Sequence, residues 1–349
     1  MSQRRSIPYY PTERRVIDHR PGMFGGPDIP IYNTPVNPRE NARALYFEKH
    51  PYWVGTSDTA FPMPALYNLK LGRSRDDTDC FGRFWEWVES AGGSITPHGN
   101  PLFTDVREWK DHITIPNIDE WDWAGAAEET KLDTRFAPCP SLVNGFWFER
   151  MISWMDFMPA AEALIDEDQH DAIHEMFQAT TDLACKIVDK FVEYWPAIDG
   201  INTHDDWGSQ KAPFFSEDTA RSLFLPYMKQ LNAHIHSKGR YTSLHSCGRN
   251  ESRTAFFIEA GYDEWNPQTM NDTPKMYEEF GDKIIISISP PDLPEGSSDA
   301  DYKQAARDFV DRYCKPGKPA NIGMSPLRNN AVFMEELYEF SRKRYAGLA

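Results

Sequence analysis

The stretch Tyr241-Thr-Ser-Leu-His-Ser-Cys-Gly248 decides how the chain is read. Tyr241 to Leu244 is a short strand-like run, and Gly248 stops it. On a strand His245 and Cys247 project to the same side, whereas on a helix they would diverge by about 200°. Imidazole and thiolate together suit zinc. A lone His-x-Cys also arises by chance, so its meaning rests on the segments around it.

Those segments alternate. Before the motif, Ile198-Asp-Gly-Ile-Asn-Thr203 reads as a strand, and Ser216 caps a long helix from Glu217 to about Lys238 with Gly239 as its stop. After it come a helix around Arg253 to Ala260, a strand at Tyr262-Asp-Glu-Trp265, a helix at Pro274 to Phe280 and a strand at Lys283 to Ile288. A helix near Asp301 to Tyr313, a strand near Ala320 to Met324 and a helix from Ala331 to about Arg344 follow. Upstream, Leu142 to Phe148 is strand-like, and residues 149–165 and 168–195 carry helix-spaced apolar positions such as Ile173, Phe177, Leu183 and Ile187. Strands alternating with helices imply a parallel sheet, and this many units predicts an α/β fold of the (β/α)8 TIM-barrel kind.

Residues 37–349 are therefore expected to form one barrel domain. It opens on Asn37-Pro-Arg-Glu-Asn41, with Asn37 as N-cap, Pro38 at the first helical position and Glu40 at the third. Tyr52-Trp-Val-Gly55 reads as a strand. Residues 1–36, rich in Pro, Arg and Tyr, read as an N-terminal arm packed on the surface. Residues 81–123 mix turn signals with short apolar runs and read as an inserted loop region, a length that usually serves a site or an interface.

The 349 residues include 37 basic and 53 acidic side chains, for a net charge of −16. This argues against nucleic acid or an anionic membrane as the main partner. The opening Met1-Ser-Gln-Arg-Arg-Ser lacks a secretory apolar region, and no run of about 18 apolar residues occurs. Cys80, Cys139, Cys185, Cys247 and Cys314 are an odd number and widely spread, which suits free thiols in a reducing, cytoplasmic compartment. A homodimer is allowed but not specified.

In such a barrel the chemistry sits at the C-terminal strand ends. Three consecutive ends are polar: Glu149, then His204-Asp-Asp-Trp-Gly-Ser-Gln210, then His245-Ser-Cys247. If the last two strands are neighbours, His204, Asp205, Asp206, His245 and Cys247 face one cavity. Taken singly, His204 and Asp205 also read as capping or loop groups, and Glu149 as a first-turn acid favoured by the helix dipole.

Asp205-Asp-Trp-Gly-Ser-Gln210, Pro213-Phe-Phe-Ser216, Phe224-Leu-Pro-Tyr-Met-Lys229, Leu244-His-Ser-Cys-Gly248 and Asn266-Pro-Gln268, with Asn37-Pro-Arg-Glu-Asn41 at the start, together resemble the uroporphyrinogen decarboxylase superfamily over about residues 37 to 345. Within it the chain is similar to the cobalamin-dependent methyltransferase branch, which includes methylcobamide:coenzyme M methyltransferases and corrinoid-linked O-demethylase components. Trp53-Val-Gly-Thr-Ser57 stands where the decarboxylases carry an arginine-bearing stretch, which argues against uroporphyrinogen as substrate.

The resemblance implies a methyltransferase that moves a methyl group between a small methylated substrate, such as an aryl methyl ether, and a cobalamin (corrinoid) carried by a partner protein. It also implies zinc, held by a His-x-Cys pair and a later Cys. His245 and Cys247 match the pair, but the stretch where the later Cys should fall reads Asn321-Ile-Gly-Met-Ser325. Either a carboxylate, Asp206 or Glu149, completes the site, or the metal is lost and the pair only polarises a substrate. Asp206 is expected as metal ligand or catalytic base and Glu149 as a second catalytic candidate. The rivals are a metal-independent decarboxylase or lyase of the same fold, and a non-catalytic binding subunit. Trp85, Trp87, Trp121, Trp123, Trp147 and Trp207 could line an aromatic pocket, though indoles serve more often as core.

Overall fold

The computed structural model describes residues 7–20, 28–55, 59–60, 76–89, 93–142, 145–315 and 317–348. The chain divides into two compact units: a larger one of Ala60–Thr134 and Pro138–Ile286, and a smaller one of Met1–Thr59, Arg135–Ala137 and Ser287–Ala349.

The larger unit is built on parallel strands that lie side by side in chain order: Ser141–Leu142, Gly200–His204, Tyr241–Ser246, Glu264–Pro267 and the start of Ile285–Ile288. Leu244 pairs with Thr203 on one side and Trp265 on the other, and Trp265 pairs with Ile286. Tyr241 to Leu244 are buried throughout, as befits strands covered on both faces. Helices Phe148–Met155, His170–Tyr194, Leu225–Ser237, Thr254–Glu259 and Thr273–Phe280 alternate with these strands.

The helix His170–Tyr194 buries Ile173, Phe177, Thr180, Leu183, Ala184, Ile187 and Phe191, the three-and-four spacing of a single apolar stripe. Its Phe177 ring meets Phe224 at 5.1 Å and Tyr227 at 5.8 Å. The chain from Glu217 to Ser237 is helical with one π turn over Ala220–Phe224, placed just before Pro226, whose missing N–H could not continue the normal ladder. Gly239, at φ +69°, ends it as expected.

The α/β class and the parallel sheet agree with the sequence reading. Among the described residues the parallel ladder has ends, so its hydrogen bonds do not close the expected ring of eight. The segment read as an inserted loop, 81–123, supplies Phe84–Val88 and Gly93–Ile95 to a three-stranded antiparallel sheet whose first strand, Asp77–Thr78, precedes it, and short helices follow. Of the strand read over Leu142 to Phe148, the described residues show Ser141–Leu142; residues 143 and 144 lie outside them, and Phe148 already begins a helix.

In the smaller unit, helix Pro38–Glu48 starts on the expected capping box: Asn37 accepts from Glu40 N at 2.8 Å, and Glu40 accepts from Asn37 N at 2.9 Å. Asn37→Ala is expected to cost about 1 kcal/mol, read as a lower denaturation midpoint. The strand expected at Tyr52 to Gly55 does not form. The buried Asn41 amide instead accepts from Tyr52 N and Trp53 N, and Val54 N donates to Ser341 Oγ at 3.1 Å. These bonds use the donors that a ladder would need.

Ser287 and Ile288 pair with Asn321 and Ile322, and helices Asp299–Tyr313 and Ala331–Tyr345 pack together. The N-terminal arm is less superficial than the sequence suggests. Glu13, 3% exposed, receives Nε of the 1%-exposed Arg342 at 3.2 Å, and that guanidinium also donates to Ile7 O and Pro8 O. Phe24-Gly-Gly-Pro27 of the arm lies outside the described residues. No helix among the described residues is long and apolar enough to cross a membrane.

Candidate metal centre

Two adjacent strands end in the same pattern. His204 pairs in register with His245 across the ladder, so the two side chains leave the sheet at one height. Their rings stack at 5.2 Å and 23°. Two residues further along each chain, Asp206 and Cys247 return to the same side, as a period of two requires. Cys247 N donates to Asp206 Oδ1 at 2.6 Å and ties the two ends together.

One donor atom from each of His204, Asp206, His245 and Cys247 lies within 4.8 Å of the other three. His245 Nε2 is 3.3 Å from Cys247 Sγ, and His204 Nε2 is 3.4 Å from Asp206 Oδ1. Tetrahedral zinc with its usual bond lengths has ligand-to-ligand edges of about 3.3–3.6 Å. The donor types fit that ion, and these two spacings match its edges.

Neighbouring groups aim the rings. His204 Nδ1 meets Glu149 Oε2 at 2.6 Å, and His245 Nδ1 meets Asn266 O at 2.8 Å, which turns both Nε2 atoms toward the shared point. Gln268 donates from Nε2 to Cys247 Sγ at 3.3 Å while its own oxygen accepts from Gly248 N at 2.8 Å. Burial lowers the proton affinity of His245, and the charge on His204 lowers it further. Burial also works against charge on His204, but Glu149 beside it, with bonds to Cys247 and Glu149, raises its pKa well above that of a free imidazole. Burial pushes the Cys247 thiol up. His204 is 17% exposed and Asp206 27%, so the group borders on solvent.

Asp205, expected to share the cavity, points the other way. It accepts from Phe148 N at 3.2 Å, Glu149 N at 2.9 Å and Trp207 Nε1 at 2.6 Å, and so anchors the start of the helix that carries Glu149. Burial and then the Glu149 carboxylate push its pKa up to about 7, against those three donors. Glu149 is thus in the first turn of a helix, in contact with His204.

A solved structure described as a methyltransferase from Methanosarcina mazei is similar to this chain over 87% of its length and 86% of that chain, with a TM-score of 0.54 and 16% identity. The chain shares that protein's fold. A xylose isomerase-like TIM-barrel protein from Mycobacterium smegmatis in complex with magnesium is matched with a TM-score of 0.30 and 14% identity over 67% of this chain and 92% of that one. A D-psicose 3-epimerase is matched with a TM-score of 0.29 and 12% identity over 66% and 86%. No protein-family model matches the sequence, and no curated protein matches it.

His245, Cys247 and Asp206 are brought together as a group, with Glu149 one contact away through His204. The weight of His204 was missed. Its signal was a second histidine-x-donor pattern, His204-x-Asp206, lying 41 residues before His245-x-Cys247 and in register with it on the neighbouring strand. Gln268 was seen only as part of a motif. Four of the six indoles that could line a pocket are core residues. Trp85, Trp123, Trp147 and Trp207 are buried, with their N–H groups engaged by Asp79, Ile118 O, Thr181 and Asp205. The Trp207 ring is packed among Phe215, Phe224, Phe256 and Phe257.

Gly248 lets the two loops close. It sits at φ +88°, and a Cβ there would strike the backbone carbonyl of Gly208. Gly248→Ala is expected to cost at least the roughly 1–3 kcal/mol of a strained backbone and to draw Cys247 off position. The check is the denaturation midpoint.

Proposed function

We propose that the chain is the methyltransferase component of a corrinoid-dependent system, moving a methyl group between a small methylated substrate and a cobalamin held by a partner protein. The observation that carries this reading is the convergence of His245, Cys247 and Asp206 at the strand ends of a fold shared with a methyltransferase. His245 through Nε2, Cys247 through Sγ and Asp206 through a carboxylate oxygen would hold zinc. Zinc bound there supplies a Lewis acid that makes a thiol or a phenolic oxygen a better nucleophile or leaving group. The chain's own residues fix the donors, hold the two ring tautomers and keep one side of the group open to substrate. An eight-stranded closed barrel belongs to the same proposal.

The test uses purified protein with cob(I)alamin and a panel of aryl methyl ethers and methyl thioethers, and separately with methylcobalamin and thiols. The cobalamin spectrum reports transfer in either direction. Metal content is measured by elemental mass spectrometry on the same samples. About one zinc per chain and a methyl-dependent spectral change are expected. A metal-free chain with no change against either panel would end the reading in favour of the metal-independent lyase.

A further inference from the structure

Four donors converge where the resemblance accounts for two, and the stretch in which a further cysteine would fall, Asn321 to Ser325, has none. Cys314 is no substitute: it is 2% exposed at the end of helix Asp299–Tyr313, and burial pushes its thiol up to about 12. We propose that the resting centre takes all four protein donors from two neighbouring strand ends, His204 and Asp206 from one and His245 and Cys247 from the other, with a substrate oxygen or sulfur entering as a fifth donor. His204 is the donor that replaces the distal cysteine, and Glu149 is its positioning residue. This inference rests on the zinc reading above.

The geometry of His204 carries it. The ring has two nitrogens with different surroundings: Nδ1 is held by Glu149 at 2.6 Å, and Nε2 faces Asp206 Oδ1 at 3.4 Å. A carboxylate on the far nitrogen fixes the tautomer that leaves Nε2 as a lone-pair donor and raises its basicity, the usual support of a metal-bound imidazole. Stacking on His245 places both rings at one height, in register. A salt bridge between His204 and Glu149 alone would account for Nδ1, but not for the second imidazole, the thiol and the carboxylate gathered around Nε2. In this arrangement Glu149 holds the ring and does not itself ligate or take a proton from substrate.

X-ray absorption at the zinc edge of the zinc-loaded wild-type protein reads the donor set directly. One sulfur at about 2.3 Å and three nitrogen or oxygen donors at about 2.0–2.1 Å are expected; two sulfurs would overturn the proposal. Competition against a chromophoric chelator then compares variants, with circular dichroism as the check on folding. Glu149→Gln is expected to lower zinc affinity about 10–100-fold. His204→Ala is expected to lower it further and to regain part of it when free imidazole is added. If His204→Ala keeps wild-type affinity and an unchanged absorption spectrum, the four-donor set is wrong while zinc at His245 and Cys247 stands. If the wild type binds no zinc, the parent reading fails with it.

Discussion

Methyl transfer by Cys247→Ser is expected to fall about a thousandfold or more below the unaltered chain, with zinc lost from the purified variant. The thiol is the softest donor of the group, and a serine hydroxyl would have to be deprotonated at far greater cost to take its place. Lewis-acid activation contributes several kcal/mol to such a barrier, and a factor of a thousand corresponds to about 4 kcal/mol. The fold should survive, because the bond that ties the strand ends runs from the backbone N of Cys247 to Asp206 and does not involve the sulfur. Gln268 and His245 lose a sulfur partner but keep Gly248 N and Asn266 O. Single-turnover rates, metal content and a circular dichroism melt on one preparation separate these effects. A zinc-free variant that transfers methyl groups at the wild-type rate would defeat the mechanism.

The second large effect is structural. Asp79→Ala is expected to destabilise the larger unit by about 3–5 kcal/mol, the cost of leaving a buried charge without its partner. Asp79 is 3% exposed and its carboxylate is saturated: one oxygen accepts from Phe81 N and Arg83 N, the other from Trp85 Nε1 and from Arg150 Nη1 at 2.6 Å. Arg150 is buried as well, with its guanidinium carbon 4.5 Å from the Phe81 ring centroid. The double variant Asp79→Ala/Arg150→Met should lose less than Asp79→Ala alone, since it removes the stranded charge. Chemical denaturation of the three proteins provides the cycle, and a double variant less stable than the single one would contradict the account. Arg150 follows Glu149 on the same helix, so zinc affinity should also fall in Asp79→Ala.

The legible parts of this chain were those fixed by local rules. The capping box at Asn37, the stop at Gly239 and the strand-helix alternation from Gly200 to Tyr345 depend on residues close in sequence, and all are found. His245 and Cys247 were legible because a strand has a period of two. What could not be read depended on partners far along the chain. Tyr52 to Gly55 looked like a strand until Asn41 and Ser341 took its N–H groups. Phe148 opens a helix because a carboxylate 57 residues away accepts its N–H. Asp205 and Asp206 are identical in type, and only the location of the helix start tells the residue that anchors it from the one that faces the two histidines. His204 looked like an ordinary loop histidine because its meaning depends on register with the next strand.

The register pairing of His204 with His245 also bears on assembly of the protein. All four donors come from a single strand-helix-strand segment, and the contact that closes it, Asp206 to Cys247, spans 41 residues. The entropy cost of closing a loop grows only slowly with its length, by about 0.6 kcal/mol per doubling. On the zinc reading, one strand-helix-strand segment holds every donor, so metal present during synthesis is expected to act as a template for folding as well as a reagent for chemistry.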